Sequence, residues 1–246
     1  MNLAIDIGNT RTKIAVFQGD SLLHQAVWDE LTVEALKQLA YNQKVEKIIL
    51  SSVSKQSEEV MGFLRSHFSF LELATDTPLP IRIRYKTPQT LGKDRIAAAV
   101  GASHLFPREN CLVIDAGTCI TLDVLSADGE FLGGNISPGI EMRLKAMHHF
   151  TARLPLVGRA SEMPADLGDS TENAIRNGGE LGALLEVEGF IRHCKKKFRP
   201  LRVVFTGGDA DFFVKHTKTK IFAHQNLVLI GLNQILQHNA KLSEGF

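Results

Sequence analysis

Near the start of the chain stands the run Leu3-Ala4-Ile5-Asp6-Ile7-Gly8-Asn9-Thr10-Arg11-Thr12-Lys13-Ile14-Ala15-Val16-Phe17. It predicts two apolar strands joined by a tight polar corner, because Gly8 and Asn9 tolerate the positive φ that an immediate chain reversal needs. The corner offers a carboxylate on Asp6, a hydroxyl on Thr10 and several backbone N–H groups. Such a set suits the terminal phosphates of a nucleotide and the metal ion that accompanies them. A plain hairpin with a polar turn is the alternative interpretation.

A second hairpin of the same kind occupies residues 111–125. Its Ile114-Asp115-x-Gly117 aligns with Ile5-Asp6-x-Gly8 at an offset of 109 residues (115 − 6). This is a weak internal repeat whose period has the size of a small domain. It predicts a pseudo-twofold pair of α/β domains, 1–109 and 110–246, with the two aspartate corners facing each other across a cleft. A chance similarity of two apolar hairpins is the alternative.

Each half is predicted to follow the same order of elements: three strands, helix, strand, helix, strand, helix. The same offset places Thr12 on Thr121. A helix that opens near Leu91 is rich in alanine and glycine, which lets it lie close against a neighbouring backbone. Apolar periodicity predicts the remaining elements. In the first half these are strands near 22–28 and 45–53 and helices near 32–42 and 56–68; in the second half they are strands near 111–116, 119–125, 130–134 and 201–205 and helices near 139–150, 171–197, 209–216 and 226–239.

The composition is that of an ordinary soluble protein of 246 residues, with a net charge of +1 and 44% apolar residues. No charge excess indicates a nucleic-acid or membrane-surface partner. No apolar run approaches the ~20 residues needed to cross a bilayer, and the N-terminus lacks a secretory-signal pattern. Cys111, Cys119 and Cys194 lack metal-ligand spacing and are interpreted as reduced cysteines. We therefore expect a cytoplasmic protein with no nucleic-acid and no membrane partner.

The two corners together have the chemistry of phosphoryl transfer. If Asp6 and Asp115 face each other, they form the kind of site that Mg²⁺ favours, with one or two carboxylates, phosphate oxygens and water. Thr10 and Thr118, with their backbone amides, are placed to hold phosphates from the two sides. Lys13 adds a positive charge, although a solvated strand lysine is the alternative. Phosphoryl transfer needs mainly positioning and neutralisation of oxygen charge, and the chain contains no P-loop signature.

A second candidate site is Gly92-Lys93-Asp94-Arg95, at the start of a predicted helix. An aspartate there can accept the proton of a substrate hydroxyl, and Arg95 can bind a carboxylate through two parallel hydrogen bonds. Ordinary helix capping by Asp94 is the alternative. Thr206-Gly207-Gly208-Asp209 follows a strand and opens a helix. Its glycines allow the base and ribose of a nucleotide to approach the backbone, or they form only a sharp turn.

Taken together, these motifs resemble those of the type III pantothenate kinases, which are members of the actin-like superfamily of acetate and sugar kinases, Hsp70 and actin. The resemblance covers nearly the whole chain. The Gly-x-Asp-Arg and Thr-Ala-x-Leu-Pro segments are its most specific parts. The matching segments are Asp6-Ile7-Gly8-Asn9-Thr10, Tyr85-x-x-Pro88-x-x-Leu91-Gly92-Lys93-Asp94-Arg95, Asp115-Ala116-Gly117-Thr118, Gly133-Gly134-Asn135-Ile136-Ser137-Pro138-Gly139, Thr151-Ala152-Arg153-Leu154-Pro155, Thr171-Glu172-Asn173-Ala174-Ile175 and Thr206-Gly207-Gly208.

The resemblance implies two tandem actin-like (ribonuclease H-like) domains, with mixed sheets flanked by helices and a nucleotide cleft between them. It implies ATP-dependent phosphorylation of pantothenate to 4′-phosphopantothenate, the first step of coenzyme A biosynthesis, by a homodimer that uses Mg²⁺ and a monovalent cation, K⁺ or NH₄⁺. By the family pattern Asp94 is the general base, and Asp115 lies at the monovalent cation. The pattern also assigns pantothenate binding to Tyr85, Gly92, Lys93, Asp94, Arg95 and, across the dimer interface, Thr171. It assigns ATP binding to Asp6, Ile7, Gly8, Asn9, Thr10, Arg11, Thr12, Lys13 and Thr118, with Asp6 contacting Mg²⁺ through water.

Two alternatives stay open at this point. A related kinase of the superfamily, acting on a sugar or a short carboxylic acid, would share the phosphate corners but would not need Gly-x-Asp-Arg. A non-catalytic nucleotide-binding regulator is the second alternative, because some members of this family were first described as the accessory factor of a virulence regulator. Such an inert relative is expected to lose Asp94 or Asp6, and both are present.

Overall fold

The computed structural model describes residues 1–8, 11–53, 57–160 and 166–244. Asn9 and Thr10 of the predicted phosphate corner lie outside the described residues. The strands are β1 (Asn2–Ile7), β2 (Thr12–Gln18), β3 (Ser21–Trp28), β4 (Lys47–Ser52), β5 (Ser69–Glu72), β6 (Arg82–Ile83), β7 (Asn110–Ala116), β8 (Cys119–Leu125), β9 (Glu130–Pro138), β10 (Leu201–Thr206) and β11 (Phe222–Ala223). The helices are α1 (Val33–Asn42), α2 (Glu58–His67), α3 (Lys93–Leu105), α4 (Ile140–His149), α5 (Thr171–Lys197), α6 (Ala210–His216) and α7 (Leu227–Glu244).

The two sheets repeat one topology. The first has the order β3-β2-β1-β4-β5 and the second the order β11-β10-β7-β8-β9-β6. If the strands of each half are numbered from its first strand, β1 or β7, both sheets have the strand order third, second, first, fourth, fifth. The second sheet has β6 as an additional edge strand. Strand β1 is antiparallel to β2 and parallel to β4, and β7 is parallel to β10. The predicted α/β architecture is confirmed, and the shared strand order supports the internal repeat.

The repeat is less regular than the sequence predicts. Strand β2 begins five positions after Ile7, whereas β8 begins three positions after Ala116. The offset of 109 therefore matches β1 with β7 but does not hold beyond the corner, because the second connection is two residues shorter. In the second half α4 and α5 also follow one another with no strand between them in the described residues, so this half has one more helix before its fourth strand.

The chain forms two compact units that are not contiguous in sequence. The first contains Met1–Arg108, Leu125–Leu132 and Asn226–Phe246, and the second contains Glu109–Val124 and Gly133–Gln225. This division differs from the predicted domains 1–109 and 110–246, since the final helix belongs to the first unit. The apolar periodicity of α7 indicates that one of its faces is buried, but it does not say which sheet buries it.

In the first unit the sheet carries helices on both faces. The apolar residues of β1 and β4 on one face, including Leu3, Ile5 and Ile48, pack in one cluster with residues of α1 and α2. The opposite face is covered by α7. There the Asn2 side-chain amide donates to Asn233 Oδ1 at 2.9 Å. The positions of β1 that alternate with the apolar ones therefore face α7.

Helices α3 and α7 pack against each other backbone to backbone, as the small residues of α3 predict. A Cβ on Gly231 of α7 would lie 2.6 Å from the carbonyl carbon of Ala97 and 2.9 Å from the nitrogen of Gly101. Such a Cβ has no room, so only glycine permits this approach. The close contact fixes the position of α3, whose first turn carries the Gly92–Arg95 motif.

The second unit is built around β7 and β10. Leu112 and Ile114 of β7 are buried in one cluster with Val187 of α5 and Phe213 of α6. In the described residues of the whole chain, no helix has both the length and the apolar character that crossing a bilayer requires.

Candidate active site

The first corner ends with three polar side chains in a row across the sheet. Asp6 of β1 is in register with Lys13 of β2 on one side and with Ser51 of β4 on the other. Residues in register share a face of the sheet, and this face is the one that α7 covers. Asp6 and Lys13 are half-buried, and Ser51 is buried. The row brings a carboxylate, an ammonium group and a hydroxyl to the carboxyl end of the parallel pair β1 and β4.

Ile7 and Gly8, the described residues that follow Asp6 directly, contribute backbone hydrogen bonds to this corner. Ile7 and Thr12 are buried, and Arg11 is exposed. The N–H of Gly8 donates to the Arg11 carbonyl at 3.1 Å, and the N–H of Val53 donates to the Ile7 carbonyl at 3.1 Å. These bonds close the chain reversal between β1 and β2 and tie it to the end of β4.

The Gly92–Arg95 motif forms the first turn of α3. Gly92 occupies the N-cap position and provides no side-chain cap, while Asp94 lies inside the first turn. The Asp94 carboxylate accepts the backbone N–H of Arg95 at 2.9 Å. Asp94 is therefore not the N-cap residue, but its carboxylate satisfies one of the free N–H groups of the first turn, so the structural role that the sequence offers as the alternative is also present. A Cβ on Gly92 would lie 2.5 Å from Asp94 Oδ1, so the glycine leaves room for the carboxylate.

Arg95 is buried beside two aromatic rings, with only 6% of its surface exposed. Its guanidinium carbon lies 5.7 Å from the centre of the Tyr85 ring and 5.8 Å from that of Phe131. The two rings are 6.1 Å apart in an edge-to-face arrangement. Cation–π contacts of this kind stabilise the charged guanidinium in this buried position. The structure thus places Tyr85 beside Arg95, the residue that follows Asp94. It adds Phe131, an aromatic residue at the start of β9 that no sequence motif marks.

The second corner lies at the end of β7. Asp115 is half-buried, and Thr118 is exposed in the two-residue connection to β8. The N–H of Gly117 donates to the Cys119 carbonyl at 2.9 Å, and the N–H of Gly139 donates to the Thr118 carbonyl at 3.1 Å. These bonds fix the connection, so that the Thr118 hydroxyl is presented from an ordered turn.

The Thr206–Asp209 segment passes directly beside Asp115. Thr206 is in register with Asp115 across the parallel pair β10 and β7. Gly207 has a φ of +95°, which favours glycine, and a Cβ there would collide with the Asp115 carboxylate and the Ala116 carbonyl. The N–H of Asp209 donates to the Ala116 carbonyl at 2.8 Å. The predicted glycine turn and the second aspartate therefore form one local structure.

Sequence reasoning missed a charged cluster next to this turn. Glu180 of α5 is only 1% exposed, accepts the N–H of Ala160 at 2.9 Å and lies 3.9 Å from Arg159 Nε. Arg159 in turn pairs with Asp209. The cluster ties the segment after α4 to the turn between β10 and α6. No signal in the sequence points to it, because Glu180 is one of four glutamates in α5 and only the fold shows that it is buried.

Thr171, which the family pattern assigns to pantothenate, opens α5 and is exposed. Ser170 caps this helix by accepting the N–H of Asn173 at 3.3 Å. The Thr171 hydroxyl is therefore not used for capping and is presented on the surface of the second unit.

The carboxylate of Asp6 suits a divalent ion that is also bound by the phosphates of a nucleotide. Within the described ranges, no group of three or more His, Cys, Asp or Glu side chains is arranged to hold a metal ion. Mg²⁺ is usually held by one or two carboxylates, water and substrate phosphates rather than by an all-protein cage. Asp6, with the buried hydroxyl of Ser51 beside it in the sheet, has the oxygen chemistry that such an ion uses.

Comparisons with known proteins identify relatives over nearly the whole chain. The family model of the type III pantothenate kinases matches residues 2–193. The type III pantothenate kinase of Phocaeicola vulgatus is 45% identical over 243 residues, which are 98% of this chain and 100% of the relative. That of Bacteroides fragilis is 45% identical over 240 residues, which are 97% of this chain and 98% of the relative.

Solved structures show the same fold at low identity. A Campylobacter jejuni protein assigned to the Baf family of transcriptional activators has a TM-score of 0.63 and 24% identity, covering 97% of this chain and 99% of its own. The activator of 2-hydroxyisocaproyl-CoA dehydratase from Clostridium difficile has a TM-score of 0.55 and 13% identity, covering 99% of this chain and 97% of its own. The fold is that of the actin-like ATPases and sugar kinases. From the sequence relatives, the chain belongs to the type III pantothenate kinase family.

Proposed function

We propose that this protein transfers the terminal phosphoryl group of ATP to the primary hydroxyl of pantothenate, the first step of coenzyme A biosynthesis, with Asp94 as the general base. The observation that carries the proposal is the start of α3, where the Asp94 carboxylate is followed by the buried, aromatic-flanked Arg95. Pantothenate presents an alcohol and a carboxylate. The motif offers one group suited to each of them.

The two side chains can act on different ends of the substrate. Consecutive residues on a helix point about 100° apart, so Asp94 and Arg95 do not compete for one group. Arg95 binds the pantothenate carboxylate through two parallel hydrogen bonds, and Tyr85 and Phe131 stabilise its guanidinium. Asp94 accepts the proton of the primary hydroxyl as that oxygen attacks phosphorus. Gly92 leaves the space in which the carboxylate moves, and the backbone of Lys93 contacts the substrate.

ATP is proposed to bind at the two aspartate corners. Backbone N–H groups and hydroxyls hold the phosphates there, and Lys13 and the divalent ion beside Asp6 neutralise their charge. The bound ion supplies charge neutralisation at the transferring phosphoryl group. We further propose that Asp115 lies at a monovalent cation, K⁺ or NH₄⁺, next to the glycine turn.

A homodimer is proposed from the surface of the second unit. Several of its large apolar side chains are exposed, including Phe150 at 81% and Leu167 at 86%, together with Ile136, Leu156 and Leu185. Exposed apolar side chains in such number are typical of an interaction surface. Thr171 follows closely after Leu167, and we propose that it reaches the partner's substrate. The three cysteines are free, which supports a cytoplasmic location.

The proposal is tested by a coupled assay for phosphopantothenate with the Asp94→Asn variant. Loss of a general base is expected to lower kcat by roughly 10²–10⁴-fold, with a much smaller change in KM for pantothenate. Asp76→Asn, which changes an exposed aspartate of the same unit, is the matched control. A near-normal kcat for Asp94→Asn would remove Asp94 from the base role. A panel of sugars and short carboxylic acids with ATP separates pantothenate from the substrates of related kinases.

The cation assignment has its own test. Activity in a sodium-only buffer is expected to fall sharply against activity in potassium or ammonium, and Asp115→Asn is expected to remove most of that difference. Equal rates in the three buffers would count against the site. If the wild-type protein binds nucleotide but forms no phosphopantothenate in any buffer, the non-catalytic regulator becomes the better assignment.

A further inference from the structure

Ser51 of β4 carries a buried hydroxyl that makes no hydrogen bond within the described part of the chain. Only 1% of its surface is exposed, and its Oγ has no hydrogen-bond partner among the described residues. Burying a hydroxyl without a partner is unfavourable, because the group gives up its bonds to water and gains none in return. A buried hydroxyl without a hydrogen-bond partner in a native protein needs an explanation, and a bound ligand that supplies the partner is one.

Its position points to a ligand. Ser51 is in register with Asp6, and Asp6 is in register with Lys13, so the three side chains lie on neighbouring strands and on one face of the sheet. Neighbouring strands are about 4.8 Å apart, so Ser51 and Asp6 are immediate neighbours on this face. The row also lies at the carboxyl ends of β1 and β4, where open α/β sheets bind their ligands.

The three groups have complementary hydrogen-bonding capacity. An ionised Asp6 only accepts hydrogen bonds and Lys13 only donates them. A serine hydroxyl does both, so it can donate to a phosphate oxygen and accept from a water molecule bound to a divalent ion. Both kinds of oxygen are present wherever Mg²⁺ and the terminal phosphates of ATP meet.

We propose that Ser51 is a positioning residue of the nucleotide site, whose hydroxyl hydrogen-bonds the oxygen atoms around the Mg²⁺ ion and the terminal phosphates of ATP beside Asp6. This inference rests on the proposed function for the identity of the nucleotide. It makes β4, and not only the hairpin of β1 and β2, part of the phosphate site. The hydroxyl is proposed to contact phosphate oxygens of ATP and water molecules on Mg²⁺. Its loss should therefore weaken the binding of Mg·nucleotide and leave the binding of pantothenate unchanged.

The test compares Ser51→Ala and Ser51→Cys with Ser66→Ala. The cysteine variant keeps the side-chain shape, with a larger sulfur atom in place of the oxygen, but loses strong hydrogen bonding. Ser66 lies on the exposed side of α2, where its hydroxyl donates to the Gly62 carbonyl at 2.8 Å. The dissociation constant of a non-hydrolysable ATP analogue with Mg²⁺ is measured by calorimetry, and the free proteins are unfolded in urea. KM values for ATP and pantothenate are measured in addition.

Both Ser51 variants are expected to weaken binding of the Mg·nucleotide about tenfold, as loss of a hydrogen bond to a charged group does. KM for pantothenate stays within twofold, and Ser66→Ala binds as the wild type does. The free Ser51→Ala protein should be at least as stable as the wild type, because it loses no hydrogen bond. Unchanged nucleotide binding would overturn the proposal, as would a destabilised or unfolded Ser51→Ala protein, because either result assigns the hydroxyl to the fold. Binding is measured without turnover, so a protein that fails to phosphorylate pantothenate still tests Ser51.

Discussion

Replacing Gly231 by alanine tests whether the contact between α3 and α7 positions the motif at the start of α3. In a helix interior, alanine is favoured over glycine by roughly 0.5–1 kcal/mol. At Gly231 this gain is opposed by a Cβ placed 2.6 Å from the Ala97 carbonyl carbon and 2.9 Å from the Gly101 nitrogen. Overpacking costs about 1–3 kcal/mol, and the obstructing atoms are backbone, so we take the upper part of that range. The expected net loss is about 2 kcal/mol of unfolding free energy.

Gly62→Ala is the matched control, since Gly62 is exposed on α2 and a Cβ there meets no atom within 4 Å among the described residues. That variant should gain roughly 0.5–1 kcal/mol, so the two alanines shift stability in opposite directions. Urea unfolding measures both, and a loss of about 2 kcal/mol corresponds to roughly 4–8 °C in Tm for a chain of this size. Because α3 carries Asp94, kcat should fall in Gly231→Ala and stay unchanged in Gly62→Ala. Equal stability of the two variants would refute the close-packing argument.

Three further predictions concern single side chains. Glu180→Ala leaves the N–H of Ala160 without its acceptor and should cost about 1–3 kcal/mol in urea unfolding, whereas Glu180→Gln keeps an acceptor and should cost less; equal losses would contradict the assignment. Burial raises the pKa of the Cys111 thiol to about 12, so iodoacetamide at pH 8 should leave Cys111 unlabelled until the protein is denatured, and mass spectrometry of the native sample would reveal any labelling. Burial lowers the pKa of His224 below its ordinary 6.5. The unfolded chain then binds the proton more readily, so stability falls as the pH drops below about 6.5, and His224→Gln should make that fall shallower in thermal unfolding measured from pH 7.5 to 5; an identical slope in both proteins would contradict this role.

Much of the fold follows from local sequence patterns. The two Asp-x-Gly corners predict the hairpins that begin each half, because alternating apolar residues around a glycine leave few other conformations. The alanines and glycines of α3 predict a close helix neighbour, and the structure supplies α7. The partner itself was not predictable, since the apolar stripe of Leu227, Leu232 and Ile235 is compatible with burial against either sheet. Only contacts between residues far apart in the sequence determine that α7 packs on the sheet of the first unit.

In the candidate site, too, residues that are adjacent in sequence could be predicted and residues that only the fold brings together could not. Gly92, Asp94 and Arg95 are adjacent in sequence and could be grouped from it, and Tyr85 came with them through the family pattern. Phe131 and Ser51 could not be found, because they join the site through strand pairing and not through any nearby motif. In the sequence, Ser51 is one of two adjacent serines at the end of β4 and looks like an ordinary residue. Its missing hydrogen-bond partner is a property of the folded environment alone.

The place of α7 in the first unit has a consequence for how the chain is made. A ribosome delivers residues 1–108 long before it delivers α7, so the face of the first sheet that α7 covers stays uncovered during most of synthesis. That face includes Ala4, Ala15 and Ile49, which are fully buried in the finished protein. A fragment that stops before Asn226 would leave this apolar surface in water permanently. Nascent chains should therefore depend on chaperones until the last helix arrives, and shortened forms of the protein should aggregate and not persist as stable half-proteins.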